Sequence, residues 1–78
     1  MKKVIDLHGF THEESLVKVE EYLLLNSFDN DLDLELITGK SPKLQQKIIN
    51  QILIKHNFNY YIPEYNSGVI FITDTRIN

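Results

Sequence analysis

The apolar residues of this chain do not keep one period. They recur every second residue in some segments and every third or fourth in others, and the two patterns take turns along the sequence. Side chains flip faces at each step of a strand but wind at about 3.6 residues per turn on a helix. A chain that switches in this way joins strands through helices. Such crossovers make parallel strand pairs with helices packed over them.

Val4-Ile5-Asp6-Leu7 is β-prone and stops at Gly9, which predicts a first strand over residues 3–8. Period two sets Ile5 and Leu7 on one face and Val4, Asp6 and His8 on the other. Thr11-His12-Glu13-Glu14 has the form of a capping box, with Thr11 as N-cap and Glu14 three residues on. Leu16, Val19, Tyr22, Leu23 and Leu24 then recur at helical spacing to about Asn26, with Glu20 and Glu21 outward. Residues 27–31 read as a polar turn. Leu32-Asp33-Leu34-Glu35-Leu36 alternates strictly and then adds Ile37, as a half-buried strand does.

Ser41 suits an N-cap and Pro42 the first helical position, where no amide donor is needed. The second helix is expected to run to about His56, with Leu44, Ile48, Ile49, Ile52 and Leu53 inward, Lys43, Lys47 and Gln51 as a polar stripe, and Asn57 as a left-handed stop. Residues 59–65 form an edge strand broken by Pro63, and Asn66-Ser67-Gly68 turns the chain. Val69 to Thr73 is the most apolar strand and belongs in the centre. The expected fold is α/β, an α+β two-layer sandwich: β-α-β-α-β-β, a small mixed four-stranded sheet with two helices on one face.

Seventy-eight residues make one domain, 1–78. Such a chain buries only roughly 60% of its unfolded surface. With no cysteine, disulfides, thiolate metal sites and a thiol nucleophile are excluded. No apolar run exceeds four residues, so neither a signal peptide nor a membrane span is expected, and the setting is cytoplasmic. The formal charge of −3 argues mildly against a polyanion ligand, but the average hides an asymmetry. Residues 1–37 carry three lysines against nine carboxylates, −6; residues 38–78 carry five cations against two carboxylates, +3.

Ligands of parallel strands bind beyond their carboxyl ends. Two loops lie there: His8-Gly9-Phe10 and Thr38-Gly39-Lys40-Ser41. Asp6 and His8, two residues apart on one strand face, suit general acid–base work, Asp6 orienting His8. Equally, Asp6 can bond local amides and leave His8 solvated. Asp6 and His8 alone make a poor site for a divalent ion such as Mg2+ or Mn2+ without a third ligand, though phosphate and water could complete it. Gly39-Lys40-Ser41 matches the tail of a P-loop, yet position 34 is Leu where that motif needs Gly, so a nucleotide cofactor is not expected. What remains is a phosphate held by backbone amides and Lys40, or a plain turn capped by Ser41. Lys43 and Lys47 either extend a phosphate track or form a solvated face. His12 is expected to be exposed and His56 structural. Tyr60, Tyr61 and Tyr65 could stack bases or pack on the edge strand.

Ile5-Asp6-Leu7-His8-Gly9, followed by Thr11-His12-Glu13-Glu14-Ser15, resembles the opening of the small MutS-related domain, the Smr domain: a strand ending in Leu-Asp-Leu-His-Gly, then a helix with a Glu-Ala step. Thr38-Gly39-Lys40-Ser41 falls where that family has a Gly-x-Gly loop, and Asn66 to Ile70 where it has a glycine-rich turn and last strand. The resemblance spans residues 4–73. It implies an endonuclease or binding domain for nucleic acid, DNA or RNA, with the ribosome as a further partner. It also implies a fold similar to the C-terminal domain of a bacterial translation initiation factor. Carried over, Asp6 and His8 are catalytic, and Gly9, Thr38, Gly39, Lys40, Ser41, Lys43 and Lys47 bind nucleic acid or phosphate.

This sequence departs from the family pattern in three places. Ser41 replaces the second glycine, Pro42-Lys43 replaces a small-residue stretch, and the last turn keeps only Gly68, with Asn66 expected to supply positive φ. A stiffer loop that binds phosphate without cutting is therefore the alternative reading. A third is a protein-interaction domain that uses the open sheet face near Tyr61 and Tyr65.

Overall fold

A computed structural model describes residues 2–26 and 32–73. The expected element order holds: β1 (Lys3–Asp6), α1 (His12–Leu25), β2 (Asp33–Ile37), α2 (Pro42–Ile48), β3 (Asn59–Tyr61) and β4 (Val69–Thr73). The strands form one mixed sheet in the order β1-β2-β4-β3. β1 and β2 are parallel, while β4 runs antiparallel to both β2 and β3. Val69 to Thr73 is thus central, and the strand after Asn57 is an edge, ending before Pro63.

The periodicity explains the layers. Leu34 and Leu36 from β2, with Ile70 and Ile72 from β4, turn one sheet face to the helices. Val19 and Leu23 of α1 and Leu44 and Ile48 of α2 bury against it. Each such Leu or Ile contributes about 1.5–3 kcal/mol relative to exposure. Leu24, which shares the helical spacing, is half exposed. The opposite sheet face carries a row of Val4, Glu35, Phe71 and Tyr61. There Tyr61 stacks on Phe71 at 5.2 Å between ring centroids, and Lys2 Nζ lies 4.5 Å above Phe71 and 3.2 Å from Glu35 Oε1. The ring of Tyr61 therefore packs on its neighbour, while Tyr65 is almost fully exposed.

Three boundaries differ from the sequence expectation, each for a local reason. β1 stops at Asp6 because His8 and Gly9 form a turn, closed by Phe10 N–H donating to Leu7 O at 3.1 Å. Its third position needs positive φ in a type II turn, and Gly9 supplies +86°. After Ile48 the second helix widens into a π-helical stretch, Ile49–Leu53, with Ile54 N–H reaching back five residues to Ile49 O. Ile52 and Leu53 are both in the core, as the helical spacing leads one to expect. The chain then leaves through Asn57 at φ +62°, the expected left-handed stop. Past Tyr61 the edge strand gives way to turns, so residues 62–65 are not strand. The turn expected at 27–31 lies outside the described residues.

The capping box is present: Glu14 N–H donates to Thr11 Oγ1 at 3.1 Å, and Thr11 N–H to Glu14 Oε1 at 2.9 Å. One turn on, Ser15 is fully buried and its Oγ has no hydrogen-bond partner among the described residues. A buried hydroxyl without a partner costs about 1–3 kcal/mol. Ser15→Ala should raise unfolding free energy by about 1 kcal/mol in urea titration.

Candidate functional site

Because β1 and β2 are neighbours and parallel, their carboxyl ends share one edge. Asp6 stands opposite Ile37, and Leu7 N–H donates to Ile37 O at 3.0 Å. The turn holding His8 and Gly9 and the loop Thr38–Ser41 therefore leave the sheet side by side. Asp6, His8, Gly9, Gly39, Lys40 and Lys43 are all exposed there.

The contacts of Asp6 decide between two readings of the Asp-x-His pair. Asp6 Oδ1 accepts the backbone amide of His8 at 2.9 Å, not its imidazole. The carboxylate thus holds the turn, and any influence on the ring passes through the backbone. Among the described residues no three His, Asp or Glu side chains gather, and one Asp6 oxygen is already engaged. A divalent ion such as Mg2+ is usually held by one or two carboxylates with substrate phosphate oxygens and water, so the protein alone would offer it at most Asp6 here.

The loop after β2 is tied down rather than open. Thr38 and Gly39 both donate their amides to one carbonyl, Gly68 O, at 2.9 and 3.0 Å. Ser41 N–H donates to Gly39 O at 2.8 Å, and Ser41 Oγ accepts Leu44 N–H at 3.4 Å as the helix cap. Of the amides assigned to phosphate, those of Gly39 and Ser41 serve the fold, and Lys40's has no protein acceptor among the described residues. Gly39 sits at φ +69°. A Cβ on Gly68 would come within 3.2 Å of Gly39 C and 3.3 Å of its Cα, so the two glycines permit each other's approach. Asn66 contributes by accepting Gly68 N–H on Oδ1 at 3.0 Å; among the non-glycine described residues, positive φ occurs at Asn57, not here.

One organiser of the site was not singled out from the sequence. Gln45 is buried, and its Nε2 donates to Thr38 Oγ1 at 2.9 Å and to Ser67 O at 2.7 Å. Its one side chain ties α2 to both turns. The available signal was its place beside Leu44 and Ile48, on the face otherwise given to apolar residues.

His12 is half-buried rather than exposed, and its Nδ1 lies 3.2 Å from Lys47 Nζ. An ammonium can only donate, so His12 Nδ1 is the acceptor here. Lys47 therefore spends its charge between the helices, and the solvent-facing lysines of this edge are Lys40 and Lys43. His56 bonds Glu20 Oε2 at 3.1 Å, which gives it a structural contact, while the Glu20 side chain stays 39% exposed on the outer side.

Compared with protein-family models, curated proteins and solved structures, the chain matches none. Gln45→Leu keeps volume but leaves Ser67 O without its donor, and should cost about 1–3 kcal/mol in denaturant unfolding, more than the exposed neighbour Gln46→Leu.

Proposed function

We propose that this chain is a nucleic-acid endonuclease of the Smr type, acting at the shared edge of β1 and β2. The observation that carries the reading is the parallel pairing of these strands. It sets an exposed histidine beside two exposed lysines with no acidic residue between Thr38 and Asn57. A phosphodiester held by Lys40, its amide and Lys43 would lie against His8. His8 then takes the proton of the attacking oxygen, or returns one to the leaving oxygen, as the phosphorus–oxygen bond to the leaving group breaks. Asp6 is a positioning residue that holds the His8 amide. Gly9 provides the turn, and Thr38 and Gly39 set the loop. No helix among the described residues is long and apolar enough to cross a membrane, and a cytoplasmic setting completes the reading.

A second reading is favoured by one observation: the amides of Gly39 and Ser41 are spent on Gly68 and Gly39 oxygens. A loop closed in this way has fewer donors for a transition state and suits a module that binds nucleic acid or the ribosome without cutting.

Incubation with labelled structured RNA and with supercoiled DNA separates the two. Under the endonuclease reading wild type cuts at least one of them and His8→Ala does not. RNA products with a cyclic or 3′-phosphate mark proton transfer by His8. If neither substrate is cut with or without Mg2+ or Mn2+, cleavage is refuted. Under both readings, Lys40→Ala and Lys43→Ala should each weaken binding across sequences and lower the salt slope by about one, whereas Lys47→Ala should change it less. Absence of salt-dependent binding would favour a protein partner instead.

A further inference from the structure

One flank of the molecule combines an open strand edge with exposed apolar side chains. Among the described residues β1 pairs with β2 alone. Since Leu7 N–H points to Ile37 O, the odd residues of β1 turn their backbone groups toward β2, and the even ones, Val4 and Asp6, turn theirs outward. α1 runs along the same flank. A depression of about 250 Å3 lies between Lys3 and Ile5 on one side and Lys18, Glu21, Tyr22 and Leu25 on the other. A second, of about 390 Å3, continues along the helix past Phe10 and Val17. Leu25 is 76% exposed, Val17 65% and Val4 48%. Unpaired backbone groups beside such side chains make a surface that gains from being covered.

We propose that a second copy of this chain covers this flank, with β1 pairing antiparallel to β1 of the copy about a two-fold axis at Val4. Two constraints lead to this register. Directly opposed residues of an antiparallel pair lie on one sheet face, so Val4 can oppose Val4 or Asp6 of the copy but not Ile5. Charge then selects between them. With Val4 opposite itself, Lys2 falls opposite Asp6 of the second copy, and symmetry makes the pair twice. The registers one step along on either side set Val4 against Asp6 or against Lys2 of the copy and bring no opposite charges together. With Val4 on the axis, Lys2 must leave or share Glu35, 3.2 Å away in the single copy. Lysines beside an edge strand usually keep it unpaired; here Lys2 and Asp6 stand at equal distances from Val4 with opposite signs, so the edge complements itself.

The outward N–H and C=O of Val4 meet those of the second copy, and the two four-stranded sheets become one. Along the helix, Lys18 and Glu21 line the same flank with opposite signs. The interface is isologous, with one patch used on both copies. An unrelated strand has no such reason to carry an acidic residue opposite Lys2.

The test is the mass of the whole chain in solution. By sedimentation equilibrium in low salt at high-micromolar concentration, the 9.2 kDa chain should run at twice its mass. Val4→Asp puts two carboxylates on the axis and should give a monomer with unchanged far-UV circular dichroism, since Val4 is half exposed in the single copy. Lys2→Glu and Asp6→Lys should each raise the dimer dissociation constant about tenfold. The double variant should return it close to wild type, although the local Lys2–Glu35 and Asp6–His8 contacts stay lost. A monomer at every concentration, a dimer indifferent to Val4→Asp, or a double variant as weak as the singles overturns the proposal. None of these outcomes depends on whether the chain cuts or binds nucleic acid.

Discussion

The convergence of two backbone amides on one carbonyl organises this small domain. Thr38 and Gly39 both donate to Gly68 O, which ties the β2–α2 turn to the β3–β4 turn. The approach needs Gly39 at positive φ and no side chain on Gly68, and Gln45 seals it from the helix side. Because β2 and β4 are neighbours, the junction lies at the end of their ladder, where Ile37 pairs with Val69. Through it the start of α2, and with it Lys40 and Lys43, is held at the edge where β1 delivers His8.

The same junction constrains the chemistry. An amide bonded to a carbonyl is a poor donor to a phosphate, because one hydrogen cannot satisfy two strong acceptors at full strength. The donors left without a protein acceptor at this edge, among the described residues, are therefore the Lys40 and Lys43 ammonium groups and the amide of Lys40. On the other side of the edge Asp6 is a backbone clamp, so His8 depends on its turn more than on a carboxylate partner. The arrangement differs from a hydrogen-bonded Asp–His dyad, in which the carboxylate fixes the ring itself.

Much of the fold was legible in the sequence. The capping box at Thr11 and Glu14, the proline at the first position of α2, the stop at Asn57 and the alternation from Leu32 to Leu36 each encode local geometry in residue type and spacing. Proline at position 63 and the apolar run from Val69 sorted edge strand from centre. Less legible were features created by two segments meeting. The loss of helical regularity after Ile48 has no breaker in the sequence, which carries the spacing of an ordinary helix through Leu53. His12 looked like a surface residue because its partner, Lys47, is 35 positions away. Ser15, read as a helix position, gave no sign that its hydroxyl would lack a partner.

By itself the sequence determined the kinds of elements, their order, the covered sheet face and the two loops at one edge. These depend on interactions within a few residues, or on a periodicity that any apolar partner would satisfy. Only the tertiary structure decided which donors remain available at that edge, which lysine faces solvent, and that β1 rather than a covered strand ends the sheet beside α1. Those outcomes depend on long-range pairing: Gly39 with Gly68, His12 with Lys47, and, among the described residues, β1 with β2 alone. Hydrogen bonds are saturable, so a group that looks functional in the chain is available for function only if no distant residue claims it first.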